Sequence, residues 1–267
     1  MNEKLTIVKV SGKVVEKPEQ LRTFVKSFAM LEDAKLLIFS GNNMAESVGN
    51  RMNLKTKKVD SRPVVDDVTR KLLVMVYAGQ VLNQLVALLQ SFKVRTLGVT
   101  GADLNLITSV KWGDGSLGAT GQVKQVNTVA LRRLLEAGVV PVFAPITHDG
   151  HGNLLFNETD AMAAEIAKSL ALRYDVKLIY CFERNGVLLD VDNPDSVISA
   201  LKRTQYKSLR DMGIINDWFV NKLDNAYSAI DHGVKEVVIT NVAHLGDDSS
   251  GTHIVKNTRP SSPRPAK

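Results

Sequence analysis

Six apolar runs separated by longer helical patterns limit most strongly what this chain can fold into: LTIVKV, KLLIF, TLGVT, VVPVFAP, VKLIYCF and EVVIT. Short apolar runs of this kind read as buried strands. Between them lie PEQLRTFVKSFAML, DDVTRKLLVMVYAGQVLNQLVALLQSF, NTVALRRLLEAG and ETDAMAAEIAKSLALRY, which follow helical spacing. Several of these segments start at Asn, Asp or Ser, or end at Gly, as helix caps require. Strand and helix in alternation predict an α/β fold, a three-layer αβα sandwich with a mainly parallel sheet. Ligands in such folds gather at the carboxyl ends of the strands.

No internal repeat or Pro/Gly-rich linker divides the chain, so residues 1–255 read as one domain, with a loose lobe boundary near Tyr174. THDGHGNLL interrupts the alternation after the fourth strand. Its turn dipeptides, Asp149-Gly150 and His151-Gly152, predict a hairpin insertion. His148 and His151 stand there without the Cys or carboxylate cluster that would complete a metal site.

Composition matters here for what it excludes. A hydrophobic content of 44% and a mean hydropathy of -0.04 over 267 residues describe an ordinary soluble protein. There is no charged-then-apolar leader and no apolar run long enough to span a bilayer, so a cytoplasmic protein without a membrane partner is expected. The formal charge of +6 and pI of 9.3 suggest nucleic acid at first sight. The tail KNTRPSSPRPAK carries Lys256, Arg259, Arg264 and Lys267 without an acid, which leaves only +2 for the body. Nucleic acid is therefore not expected as a partner, and residues 256–267 read as a disordered basic tail. The single Cys181 lies in an apolar strand-like run and reads as a buried structural thiol.

The P-loop signature is absent, and no G-x-G-x-x-G follows the first strand, which argues against P-loop NTPases and dinucleotide enzymes. Lys9 instead sits mid-strand in VKVSGK, where a buried ammonium is costly without a partner. It reads either as a snorkelling surface lysine or as an anion ligand at a strand end, and the following Ser11-Gly12 turn favours the second. KLLIFSGNNMAESVG, residues 35–49, has the strand–turn–helix outline of a phosphate site. It supplies only Gly41 in the turn.

Taken in order, VKVSGKVVE, GVTGADLNLI, GVVPVFAPITHDGHGNLL, CFERNGVLLD, NKLDNAYSAIDHGVKEVVIT and SGT resemble the amino-acid kinase family, most closely its N-acetylglutamate kinase branch. The resemblance spans about residues 4–255. It implies a carbamate kinase-like fold and ATP-dependent phosphorylation of the γ-carboxylate of an N-acyl-L-glutamate, a step of arginine biosynthesis, with ATP and Mg2+ as cofactors. It also implies catalytic roles for Lys9, Asp160 and Lys222. Substrate contacts would fall on Gly41, Arg62 and Asn157, and nucleotide contacts on Gly12, Glu183 and Gly186, with no metal ligand from the protein. The lobe of about residues 1–174 would hold the acyl amino acid and the dimer contact, and that of about 175–255 the nucleotide. A homodimer is expected, because hexameric members add an N-terminal helix and this chain opens on its first strand. RKLLVMVYAGQVLNQLVALLQ offers a subunit face, or simply core packing. On residues alone, Asp160 fits a helix start and Lys222 an exposed helix lysine.

The departures from the family pattern are specific. The usual HGGG is Phe39-Ser40-Gly41-Asn42 here, and the usual GGK is Ser11-Gly12-Lys13. Pro63 takes an arginine slot with Arg62 beside it, Phe156 takes an asparagine slot with Asn157 beside it, and Asp217-Trp218 replace paired glycines. Side chains at glycine positions obstruct the approach of phosphate to backbone N–H groups. Loss of one charged hydrogen bond costs roughly 1.5–3 kcal/mol, and loss of one preorganised donor lowers a rate by about 10²–10³. Weakened ATP binding and very slow or absent turnover are therefore expected. Two alternatives stay open: a non-catalytic paralogue that binds or regulates, and a kinase of shifted substrate in which Arg62 and Asn157 replace the lost contacts.

Overall fold

The computed structural model describes residues 2–54, 57–59, 62–215 and 217–256, with the side chains of Asn42, Asp217 and Trp218 outside the described set. In chain order the elements are β1 (Glu3–Val10), α1 (Gly12–Glu16), α2 (Pro18–Met30), β2 (Ala34–Phe39), α3 (Asn42–Arg51), β3 (Lys58–Val59), β4 (Arg62–Pro63) and α4 (Asp67–Leu73). A π-helical turn over Val74–Val81 joins α4 to α5 (Leu82–Ser91). Then come β5 (Thr96–Val99), β6 (Ile107–Lys111), β7 (Thr120–Val126), α6 (Thr128–Glu136), β8 (Val140–Phe143), β9 (Ile146–His148) and β10 (Leu154–Asn157). The remainder is α7 (Thr159–Leu170), β11 (Tyr174–Phe182), β12 (Ala200–Lys202), α8 (Arg203–Asp211), α9 (Asp217–Asp231), β13 (Glu236–Asn241) and β14 (Thr252–Val255).

All six apolar runs become strands of one eight-stranded sheet, in the order β12-β14-β13-β11-β1-β2-β8-β5. Every pair in it is parallel except β13 with β14. β1 lies inside the sheet and pairs along its whole length with β11, from Glu3↔Tyr174 to Val10↔Cys181. Period-two alternation then divides its side chains. Leu5 and Ile7 face the core built with α6, α7 and α9, while Val8 and Val10 face the core built with α2, α4 and α5. Two buried cores on opposite faces of one sheet make the αβα sandwich.

The predicted hairpin is β9–β10, paired antiparallel through Leu154↔His148. It belongs to a feature the apolar runs do not announce, a small sheet closed on itself in the order β10-β7-β6-β9. Its interior is polar: Thr147, Ser109 and Asn157 are buried and hydrogen-bonded to one another.

Asp67–Ser91 forms one helical stretch of 25 residues, the one described helix long and apolar enough to cross a membrane by length and composition alone. Leu72, Val76, Tyr77, Val81, Leu85 and Leu89 are buried in the core, which accounts for part of that apolar character. Of the expected basic tail, residues 257–267 lie outside the described residues. Cys181 is buried as expected, and burial pushes its thiol pKa up to about 12.

One buried charge ties β2 to α2. Lys35 donates its ammonium to the carbonyls of Phe28 and Ala29 at 3.0 Å each and of Leu31 at 2.5 Å. These carbonyls lie at the end of α2, where the helix runs out of N–H partners; the Phe28 carbonyl also accepts the Leu31 N–H at 3.3 Å. Burial lowers the lysine's pKa, yet its hydrogen bonds make it the cap. Lys35→Met leaves those carbonyls without their donor and is expected to cost about 2–3 kcal/mol. In urea unfolding this would appear as a lower midpoint with an unchanged slope.

Candidate active site

The alternation that buries Leu5 and Ile7 puts Lys9 on the same face of β1, beneath the start of α7. The first turn of α7 carries Asp160, and α9 brings in Lys222 from the far end of the chain. Lys9 Nζ stands 2.8 Å from Asp160 Oδ1, and Lys222 Nζ 2.7 Å from Asp160 Oδ2. Asp160 does stand at a helix start, but its carboxylate is taken by the two lysines, and Lys222, only 2% exposed, is not an exposed helix lysine. Tyr180 on β11 supports the cluster. Its hydroxyl donates to the Asp160 carbonyl at 3.1 Å, and its ring lies 4.8 Å from Lys222 Nζ.

Burial alone would raise the Asp160 pKa, but the Lys222 and Lys9 ammoniums reverse this and hold the carboxylate well below its usual range. Burial lowers the Lys222 pKa, with Asp160 pulling against it. Two ammoniums on one carboxylate leave a net positive charge in a place water scarcely reaches.

A cavity of about 200 Å³ opens from this cluster at the carboxyl edge of β1. Lys9, Gly12, Lys13, Phe156, Glu158 and Asp160 line it, along with Ser11, Ser40, Asn43, Thr159 and Glu183. Its cations are already partnered. Ser11 donates to Glu183 at 3.0 Å, and Lys13 forms an ion pair with the same carboxylate at 3.1 Å. Burial opposes ionisation of Glu183, but the contacts from Lys13 and Ser11 hold its pKa low. Glu158 is open to the cavity. Desolvation, then the Asp160 charge, raise its pKa against the pull of Lys9 and Lys222.

The SGNN turn has also been filled from within. The start of α3, where N–H groups point outward and attract anions, holds the Glu16 carboxylate. Met44 N–H donates to it at 3.1 Å and the Asn43 side chain at 3.0 Å. Ser40 turns its hydroxyl back to the Val10 carbonyl at 3.4 Å. Gly12 and Gly41 serve a close approach of two turns: a Cβ on Gly12 would sit 3.0 Å from Gly41 Cα, and one on Gly41 would sit 3.0 Å from the Tyr77 ring.

The structure thus brings Lys9, Asp160, Lys222, Gly12 and Glu183 together, with Gly41 packed behind Gly12. Gly186 lines a separate small groove with Arg184, Leu188, Ile214 and Phe219, where its missing side chain makes room for Thr252. Arg62 is exposed on the β3–β4 ribbon, 5.2 Å from the Trp112 ring, and does not line the cavity. Asn157 points into the closed small sheet, with Thr147 at 2.5 Å. Sequence reasoning gave no site role to Lys13, Glu158 or Tyr180. The signal for Glu158 was its position two residues before Asp160, since both then flank the start of one helix.

The molecule is thus an αβα protein with a mainly parallel sheet, in which a strand lysine and a helix lysine are buried against one aspartate. Residues 4–241 match the model of the amino acid kinase family, and the chain belongs to that family. Acetylglutamate kinase of Phocaeicola vulgatus is 43% identical over 258 residues, covering 96% of this chain and 100% of that protein. Acetylglutamate kinase of Methanopyrus kandleri is 34% identical, over 90% of this chain and 96% of that protein. The structure of N-acetylglutamate synthase from Neisseria gonorrhoeae, complexed with coenzyme A and N-acetyl-glutamate, matches with a TM-score of 0.81 at 20% identity, over 97% of this chain and 61% of that one. Carbamate kinase from Giardia lamblia bound to AMP-PNP matches with a TM-score of 0.70 at 11% identity, over 96% of this chain and 99% of that one. These distant structures share the fold.

Asp160→Ala would leave two buried ammoniums without their carboxylate and is expected to cost about 3–5 kcal/mol at neutral pH. A carboxylate whose folded pKa is depressed stabilises fully above its unfolded pKa of about 3.9 and loses that contribution as pH falls towards the folded value. Urea unfolding at pH 7 and in the acid range should therefore show a loss of stability in the parent that is smaller in the variant.

Proposed function

We propose that the chain is an N-acyl-L-glutamate kinase that transfers the γ-phosphoryl group of ATP to the substrate's γ-carboxylate, with reduced turnover. The observation that carries this reading is the Lys9–Asp160–Lys222 cluster at the head of the cavity. A carboxylate attacking a polyphosphate must have their mutual repulsion cancelled, and phosphoryl transfer is catalysed mainly by positioning and charge. Lys9, fixed at the end of β1, would hold the attacking carboxylate or the transferring group. Lys222, held from the opposite side by the same aspartate, would stabilise the charge that develops on the transferred phosphoryl oxygens. Asp160 touches neither reactant in this reading and sets the spacing of the two lysines. The relatives named acetylglutamate kinase support the substrate class.

The lobe of about residues 1–174 would take the acyl amino acid and that of about 175–255 the nucleotide, with the groove at Gly186, Leu188 and Phe219 offering an apolar wall for a base. Among the described residues no group of three His, Cys, Asp or Glu stands ready for a metal, so Mg2+ in this reading arrives on the nucleotide phosphates. Val68 and Met75 are exposed on the long apolar helix and fit the homodimer contact.

Reduced turnover follows from charge. The lysine cluster carries one net positive charge, which an ionised Glu158 cancels, and Lys13 is cancelled by Glu183. Glu16 already fills the helix start that would cradle a phosphate. Trapping the acyl phosphate with hydroxylamine tests the reading. Slow hydroxamate formation that disappears in Lys222→Ala, with folding checked by thermal melting, is expected. No hydroxamate at all would overturn the kinase assignment, and fast formation would overturn the charge argument. Glu158→Gln is expected to tighten Mg-ATP binding about tenfold by calorimetry, because one repelling charge is removed from a site of low dielectric.

A further inference from the structure

Phe156 is the one hydrocarbon side chain among the described residues lining the cavity; the others are charged, polar or glycine. Its place follows from the pleat of β10. Leu155 and Asn157 turn into the closed small sheet, so Phe156 faces out towards the cavity. The ring is not loose there. It stacks on Tyr77 with centroids 5.7 Å apart and planes 19° from parallel. Tyr77 is in turn 1% exposed, held on the π-helical turn and packed on Phe39 at 6.4 Å and against Gly41. π-turns inside helices recur at functional sites, and this one carries the ring that backs the cavity wall.

We infer that Phe156, backed by Tyr77, is the specificity-determining wall that receives the acyl group of the substrate. The inference rests on the N-acyl-L-glutamate reading and deepens it. Such a substrate has two carboxylates, a planar amide and one apolar tail. The carboxylates belong at the lysine end of the cavity, and among its described lining residues only Phe156 can take the tail out of water without burying a polar group. A ring held flat by a second ring offers a fixed plane on which the amide and a longer or planar acyl group stack. The site therefore favours acyl groups larger than acetyl.

Calorimetry with N-acetyl-, N-butyryl- and N-benzoyl-L-glutamate on the full chain tests this without requiring turnover. Affinity is expected to rise by up to about fourfold for each methylene buried against the ring. Phe156→Asn should flatten the rise from acetyl to butyryl. Phe156→Leu, which keeps an apolar wall without the plane, should retain the butyryl gain and lose the benzoyl gain. Thermal melting identifies either variant that fails to fold, and the other then decides. A slope that survives Phe156→Asn, a benzoyl gain that survives Phe156→Leu, or a parent indifferent to acyl length would overturn the inference alone. A parent that binds none of the three would overturn the underlying substrate reading and the inference with it.

Discussion

The carboxylate of Asp160, shared by Lys9 and Lys222, is the contact on which the rest of the site depends. It joins three segments that lie far apart in the chain: a central strand, the start of one helix and the body of another. Each partner would be expensive to bury alone. Together they form an arrangement in which the two lysines hold the aspartate's pKa well below its usual range. Tyr180 adds a hydrogen bond to the helix start, which fixes the height of Asp160 over the sheet. The functional spacing of the lysines is thus set by a pairing the fold also needs.

Around this cluster the chain supplies its own anions. Glu16, Glu158 and Glu183 occupy or face positions where a bound phosphate would otherwise find N–H groups and ammoniums. In the proposed reading such internal carboxylates would compete with a nucleotide for the same donors, and their displacement or protonation would accompany binding. In that reading the fold and the lysine pair support phosphoryl transfer, while the local charge balance would slow it. Both follow from the same few residues.

The fold was largely legible. All six apolar runs are strands of the main sheet, because strands covered on both faces advertise themselves as uninterrupted apolar stretches. For Lys9 the sequence favoured an anion ligand at a strand end over a snorkelling surface lysine, and the strand-end position holds, on the face shared with Leu5 and Ile7. The small closed sheet was not legible, because ITSVK and TGQVKQV mix polar residues into their buried side and enclose Ser109, Thr147 and Asn157 rather than an apolar core. Nor could a linear reading find the Glu16 contact with α3 or the support that Tyr180 gives Asp160. These are set by tertiary approach, not by local pattern. Arg62 and Asn157 show the limit of neighbour-in-sequence reasoning. One residue along a strand reverses the side-chain direction, so Asn157 faces the small sheet while Phe156 faces the cavity.

The central claim is that charge pairing on Asp160, not packing, organises the site. Urea unfolding of Asp160→Asn and of the triple variant Lys9→Met/Asp160→Asn/Lys222→Met tests it most directly. Removing one member strands buried charge, whereas replacing the whole cluster by groups of similar volume removes the charge to be stranded. The expected result is a large loss of stability in the single variant that the triple variant mostly recovers. A triple variant as unstable as the single one would contradict the account.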